Sequence, residues 1–346
     1  MKYLVTLKPM EPFFFGGEHT FGKDDSRKEG SRYSAKSTYF PQQTALLGMM
    51  RKTLLVQNGN LTMHKKGEWV DSKDGKKGND KNYFDAIKLS GNGAFSYDKS
   101  TNLGSIKNIS PLFITKGDSD YIIEAKDSHY EPTILKTSKM LTSSKKDTFF
   151  LKGFDAKNYK EDQLVSTSRE ILPLSKIFKS VQTVGIKKAK DGETNDDAFF
   201  QKTSYTLKDG AFFSFYLEVE AVLNWRKSYV TLGADQSSFM LEIKETSDTF
   251  DTKFENTIKQ KDISRIILTS ETLIDQQSYD ICDFILGTRA PYRQLDSRNG
   301  SKSKRYYLLQ RGSVLYTHDL EKLITTLSQA HLQKIGINKF IAIKGA

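Results

Sequence analysis

"LEKLITTLSQAHLQKIGINKFIAIKG", residues 320–345, is the stretch from which the fold can be read. Leu320, Leu323, Ile324 and Leu327 recur at helical spacing and share one face, so a helix is expected over 320–333. Gly336 follows where a helix end needs positive φ, and "NKFIAIKG" (338–345) has the composition of a strand. Helix, glycine stop and strand make the closing half of a βαββαβ unit. Just before them, "KRYYLLQRGSVLYT" (304–317) reads as a strand pair or a bent strand broken at Gly312. "YDICDFILG" (279–287) is an apolar segment, and "ISRIILTS" (263–270) supplies an opening strand.

The same alternation recurs at the other end. "KYLVTL" (2–7) is a strand that Pro9 and Pro12 end, because neither can donate to a ladder. In "PQQTALLGMMRKTLL" (41–55), Pro41 suits a first helical position and Leu46, Leu47, Met50 and Leu54 form an apolar stripe. Thr44, Gly48, Arg51 and Lys52 lie opposite that stripe. Turn dipeptides at Asp191-Gly192 and Asp209-Gly210 divide residues 178–223 into a hairpin and a core strand from Phe212 to Val222, and 228–243 gives two strands around a glycine turn. The expected fold class is α+β, with two ferredoxin-like (βαββαβ, RRM-like) domains carrying long loop and hairpin insertions. Residues 1–247 form the first domain, with insertions at about 22–40 and 60–180, and 248–346 the second. "HKKGEWVDSKDGKKGNDKN" (64–82) and "TSKMLTSSKKDT" (137–148) have the composition of loops within the insertions.

Charge narrows the partner. Lys and Arg number 53 against 42 Asp and Glu, a net charge of +11, and aromatic residues make up 12% of the chain. This balance favours a polyanion, and abundant rings can stack on unpaired bases. Lysine-rich composition also serves solubility, so the placement of the charges has to decide. Cys282 is the single cysteine, which excludes an internal disulfide, leaves little room for a thiolate zinc site and fits a reducing cytosol. No stretch reaches the ~18 to 20 apolar residues of a spanning helix, and "MKYLVTLKPMEP" is too short for a signal peptide, so no membrane is expected.

Candidate binding groups concentrate in a few segments. "GTRAPYRQLDSRNGSKSKRYY" (287–307) interleaves Arg289, Arg293, Arg298, Lys302, Lys304 and Arg305 with Tyr292, Tyr306 and Tyr307, and is either a platform for RNA or a charged loop. Lys187, Lys188 and Lys190 form a basic tip, and Lys339 sits beside the Gly336 turn. In "FFFGGEHTFG" (13–22), Phe13 and Phe15 are expected to face one way and Phe14 the other, with Gly16 and Gly17 turning the chain and His19 and Phe21 offering rings to bases. On the helix, Gly48 either lets a phosphate backbone approach Arg51 and Lys52 or packs against a neighbouring element. Catalytic patterns are sparse. His19 is the best candidate for an acid–base group, stacking is the favoured role for it, and no Walker loop, paired metal-ligand carboxylates or nucleophile triad emerges.

Taken in chain order, six motifs resemble one family. They are "PFFFGGEHTFG" (12–22), "FPQQTALLGMMRKTLL" (40–55), "VGIKKAKDGETNDDAFFQKTSYTLKDG" (184–210), "TLGADQS" (231–237), "IILTSETL" (266–273), and "LLQRGSVLYTHDL" (308–320) closed by "GINKFIAIKG" (336–345). Together they resemble the third subunit of the Cmr complex, the type III-B CRISPR effector, within the RAMP superfamily. The resemblance implies a subunit with no catalytic activity and no cofactor that binds the repeat-derived 5′ tag of the guide RNA in the cytoplasm. Its implied partners are that RNA, the large polymerase-type subunit and the first backbone subunit, at the foot of the complex. The residues then expected to meet RNA are Phe15, Gly16, Gly17, His19, Phe21, Arg32, Gln42, Gln43, Thr44, Gly48, Arg51, Lys52, Lys187, Lys188, Arg289, Arg293, Arg298, Lys304, Arg305, Gly336, Asn338 and Lys339. A guide-processing endoribonuclease and a protein scaffold with little RNA affinity stay open as alternatives.

Overall fold

The computed structural model describes residues 1–23, 31–59, 63–65, 68–70, 81–124, 131–135, 148–152, 163–188, 194–220, 222–233, 235–254, 264–293, 295–296 and 301–345. In chain order the first elements are β1 (Lys2–Pro9), β2 (Gly17–Lys23), β3 (Ser31–Ser37), α1 (Gln43–Gln57), β4 (Met63–Lys65), β5 (Glu68–Val70) and α2 (Lys81–Ser90). Next come β6 (Ile106–Ile109), β7 (Phe113–Lys116), β8 (Ser119–Glu124), β9 (Glu131–Leu135), β10 (Thr148–Lys152), β11 (Gln163–Ser166), β12 (Ile171–Pro173), β13 (Phe178–Lys188), β14 (Thr194–Leu207), β15 (Ala211–Val219), β16 (Lys227–Leu232) and β17 (Ser237–Glu245). The remainder comprises α3 (Phe250–Phe254), β18 (Arg265–Leu268), β19 (Thr272–Leu273), α4 (Gln276–Ile281), β20 (Cys282–Leu286), β21 (Arg289–Tyr292), β22 (Leu295–Asp296), β23 (Ser301–Lys302), β24 (Tyr306–Leu309), β25 (Val314–Thr317), α5 (Leu320–Leu327), α6 (Ala330–Gln333) and β26 (Phe340–Ile343).

Strand β1 sits inside a nine-stranded sheet of order β12-β11-β8-β7-β15-β1-β17-β16, with β6 also on β15. Its period-2 pattern places Tyr3, Val5 and Leu7, all fully buried, in one core with Leu46, Leu47, Met50 and Leu54 of α1. Across the sheet, Leu4, Phe113, Ile122 and Tyr216 meet Phe250 and Phe254 of α3 and Ile341 of β26. In the N-terminal half β15 and β17 flank β1, and the strand β16 rather than a helix is described between them in the chain. Within residues 60–180, β6, β7, β8, β11 and β12 extend the central sheet. Of the two loop segments, most of 64–82 and nearly all of 137–148 lie outside the described residues.

A second sheet has the order β13-β14-β3-β2, with β14 and β3 parallel. Gly185 stands opposite Phe200, and a Cβ on Gly185 would fall 2.1 Å from the Phe200 ring. The ring therefore covers the glycine and fills the gap it leaves in the strand.

Strands β18, β20, β25 and β26 form an antiparallel sheet of order β20-β25-β18-β26. In their own chain order these are the second, third, first and fourth, with α4 after the first and α5 and α6 after the third. Ile266, Leu268 and Leu315 pack on Ile281, Leu323 and Leu327. Asp275 caps α4 by accepting from the Ser278 N–H at 2.8 Å, and Asp319 caps α5 by accepting from the Lys322 N–H at 3.1 Å. The helix expected over 320–333 is two helices instead. The Ser328 N–H still reaches Ile324 O, but the Gln329 N–H turns to Leu327 O at 2.8 Å and ends the ladder. Gly336 has φ +79°, as expected of it, and Gly312 turns the chain at φ +84° between β24 and β25, which enter different sheets. One apolar cluster crosses residue 247, because Tyr292, Leu308, Leu332, Ile335 and Ile337 belong to the core built on β1.

Candidate nucleic-acid interface

Gln42 takes the N-cap position of α1 with extended backbone, and its carbonyl accepts from the Ala45 and Leu46 N–H groups. From there the apolar stripe faces the core and leaves Gly48 and Lys52 exposed. Among the described residues a Cβ on Gly48 would meet nothing within 4 Å, so this glycine makes no room for any of them. An exposed mid-helix glycine costs roughly 0.5 to 1 kcal/mol relative to alanine.

Two contacts bring the C-terminal half to the outer side of this helix. Thr44 Oγ1 lies 2.9 Å from the Tyr292 hydroxyl, and Tyr292 in turn bonds Tyr97. Burial, then its contacts with Tyr292, push the Tyr97 phenol well above the ordinary tyrosine range. The second contact runs through residues 91–104, a loop whose ends meet. Gly91 and Gly104 both have positive φ, and a Cβ on Gly91 would lie 2.0 Å from Asn102 O, one on Gly104 2.4 Å from Gly91 N. Arg51 clamps the loop, donating from Nη1 to Gly93 O at 3.0 Å and from Nη2 to Asn102 O at 2.8 Å. His331 Nε2 donates to Tyr97 O at 2.9 Å, and Phe95, Tyr97 and Leu103 anchor the loop in the core.

At the loop's exposed tip, the Asp98 carboxylate accepts from Lys304 Nζ and from the Tyr306 hydroxyl, each at 2.8 Å. These two bonds, Lys304 first, hold its carboxyl below the ordinary aspartate range. Burial, with Asp98 adding to it, pushes the Tyr306 phenol up to about 12. The Lys304 ammonium also lies 5.1 Å from the Tyr306 ring centroid, and the Tyr97 ring packs 4.6 Å from the same ring. Arg293 and Arg305 are exposed beside these residues. Arg289 is exposed as well, with its guanidinium 4.4 Å from the Tyr307 ring and 5.7 Å from that of Tyr279. Thr44 is thereby linked to Tyr292, and Arg51 through the loop to Lys304.

Several expected RNA contacts are structural instead. Gln43 is 1% exposed and donates to Ser110 O at 2.9 Å and to Gly336 O at 3.2 Å, locking α1 to the turn before β26. Gly336 is buried under that amide. Asn338, fully buried at φ +55°, accepts from the Leu273 N–H at 2.7 Å and donates to the carbonyls of Leu273 and Leu327. Phe15 stacks on Phe13 at 4.5 Å and packs against Phe239, while Phe14 lies under Lys202, so the expected alternation of the three rings holds and Phe15 belongs with the core. Arg51 spends its terminal nitrogens on the loop, and Lys339 faces Asp251 at 3.7 Å.

Gly16 turns at φ +80° and its carbonyl accepts from the Thr38 N–H. Gly17, His19 and Phe21 lie on β2 and Arg32 on β3, with His19 opposite Ala35 and Phe21 opposite Tyr33. Lys187 and Lys188 end β13. The side chains of these six, and the whole of Arg298, lie outside the described residues.

One buried group went unexpected. Arg311, 6% exposed, pairs with Glu271 through Nε and Nη2, donates from Nη1 to Leu112 O, and lies 4.4 Å from the Phe40 ring centroid. Its sequence signal is an arginine in the otherwise uncharged run "YYLLQRGSVLYT", where a cation can be buried only against a partner. Among the described residues, no group of three or more His, Cys, Asp or Glu could hold a metal ion, and no helix is long and apolar enough to cross a membrane.

The chain's strand-rich sheets with few helices make a RAMP-like fold. Residues 5–283 match the family model described as CRISPR-associated protein (Cas_Cmr3), and the chain belongs to that family. Two solved structures share its fold at 12% identity. One chain in the cryo-EM structure of the type III-B Cmr-beta bound to cognate target RNA aligns with a TM-score of 0.55, covering 98% of this chain and 96% of that one. Another, in the type III-B Cmr-beta bound to cognate target RNA and AMPPnP, state 1, aligns at 0.53 over 99% of both. The comparison with curated proteins found no match.

Proposed function

We propose that this chain is a non-catalytic, cytoplasmic RNA-binding subunit of a type III-B CRISPR effector complex. It holds the repeat-derived 5′ tag of the guide RNA and caps the foot of the complex beside the large polymerase-type subunit and the first backbone subunit. The observation that carries this reading is the open face of α1. Gly48 stays exposed at a helix-weakening cost with nothing among the described residues against it, and Lys52 follows one turn later. A glycine there is explained by a ligand backbone that comes closer than a side chain would permit. Arg293, Lys304 and Arg305 are exposed in the segment that Tyr292 joins to α1 through Thr44.

The solved relatives are complexes bound to target RNA, which fits an RNA-handling assembly. The strand order of the C-terminal sheet supports a ferredoxin-like unit there, and we read the N-terminal half as a second such unit enlarged by the inserted strands.

The test is binding of a labelled single-stranded tag RNA across a salt series. Four or five cations on phosphates give a log-log slope of about −3, at roughly 0.7 per phosphate. Affinity that does not change with salt, or photoreactive tag nucleotides in the assembled complex that crosslink only to other subunits, overturns the reading in favour of a scaffold. Incubation with repeat RNA, with and without His19→Ala, should leave the RNA intact in both cases; cleavage by the parent chain alone would establish the endoribonuclease.

A further inference from the structure

We infer that Lys304 and Tyr306 form a binding site for an RNA phosphate, closed in the free chain by the carboxylate of Asp98. This rests on the RNA-binding reading above and names a site within it. Each Asp98 oxygen takes one donor, Oδ1 the Lys304 ammonium and Oδ2 the Tyr306 hydroxyl, both at 2.8 Å. A phosphate presents the same feature, two anionic oxygens on one centre, and can take the same two donors.

The donors keep their places without Asp98. The Tyr97 ring packs on that of Tyr306 at 4.6 Å, and the Lys304 ammonium rests 5.1 Å from the Tyr306 centroid. The loop is equally independent of the clasp, since Arg51, His331 and the buried Phe95, Tyr97 and Leu103 hold it elsewhere. Asp98, Lys99 and Ser100 are all exposed, so the tip can swing aside while its anchors stay. An ion pair this exposed is weak, and the arriving phosphate displaces it at little cost. The carboxylate acts as an occupant of the site that RNA must replace.

The experiment measures tag-RNA affinity of the full chain and of Asp98→Asn, each with Lys304 intact and with Lys304→Ala. Removing the carboxylate should tighten binding about threefold when Lys304 is present, in line with the worth of an exposed pair. With Lys304→Ala the gain should vanish, and the salt slope should become shallower by about 0.7. A general field effect of one lost negative charge would survive in the Lys304→Ala background, and that result overturns the proposal. Equal or weaker binding by Asp98→Asn also overturns it. Thermal melting checks that the loop stays folded, and Asp98→Ser repeats the measurement with a different side chain. If the parent chain binds no RNA, the functional reading falls and the site with it; if it binds and Asp98→Asn changes nothing, only the site falls.

Discussion

Gly336→Ala should loosen the join between α1 and the C-terminal sheet, with the damage passing through Gln43. The new Cβ would lie 2.0 Å from Gln43 Nε2 and 2.8 Å from Ile109 O and Ser110 C, where real Cβ contacts stop near 3 Å. At φ +79° the alanine itself costs about 1–2 kcal/mol. Gln43 must then swing away, giving up its bonds to Ser110 O and Gly336 O, and each buried group left without a partner costs about 1–3 kcal/mol. The sum is about 4 kcal/mol, and at roughly 2–4 °C per kcal/mol the melting temperature falls by about 10 °C. Gln43→Ala alone should cost about 2–4 kcal/mol. The double variant should fall short of additivity by about 2 kcal/mol, because the amide that clashes is already gone. Thermal denaturation of the four proteins reads this directly. Tag-RNA affinity of folded Gly336→Ala, measured well below its melting temperature, should stay within about twofold of the parent's, given that backbone geometry at a buried turn carries stability rather than binding. An unchanged melting temperature together with lost RNA affinity would refute the reasoning and return Gly336 to the ligand.

Gly48→Ala should raise stability by about 0.5–1 kcal/mol in a melt, whereas Gly48→Leu should weaken tag-RNA binding about tenfold by holding the backbone off the helix. Arg51→Ala should lower the melting temperature by freeing the loop at residues 91–104, while Lys52→Ala should leave it unchanged and make the salt slope shallower by about 0.7. The Cys282 thiol, pushed up to about 12 by burial and then by Asp283, should resist alkylation at pH 8 in the native protein and react fully in denaturant.

Much of the fold was legible where hydrophobic period and turn chemistry agree. The stripe on α1, the terminator at Gly336 and the break at Gly312 all stand where spacing placed them. Pairing was not legible, because nothing local in "AFFSFYLEV" (211–219) says that it lies beside β1, or in "SRYSAKS" (31–37) that it runs parallel to β14. The site was harder to read for a related reason. Gln43 and Asn338 look like surface ligands because they are polar, yet their bonds go to backbone carbonyls and amides brought near by tertiary contacts. Arg51 is diverted in the same way, by a loop some forty residues on. Spacing did put Thr44, Gly48 and Lys52 on one helix face, whereas the bond from Thr44 to Tyr292 in the tyrosine-rich segment has no local signal.

The central place of β1 bears on how the chain is made. The amino terminus of Met1 donates to Val219 O, 218 positions away, and both neighbours of β1 emerge only with residues 211–245. At ~5–20 residues per second, "KYLVTL" leaves the ribosome roughly ten to forty seconds before either partner strand exists. Throughout that interval an apolar strand with two unpaired edges is open to misassociation with other nascent chains. Its keeping falls to chaperones and to the pace of translation, so slowing synthesis should lengthen that exposure, and the yield of folded protein should follow the time taken to reach residue 245.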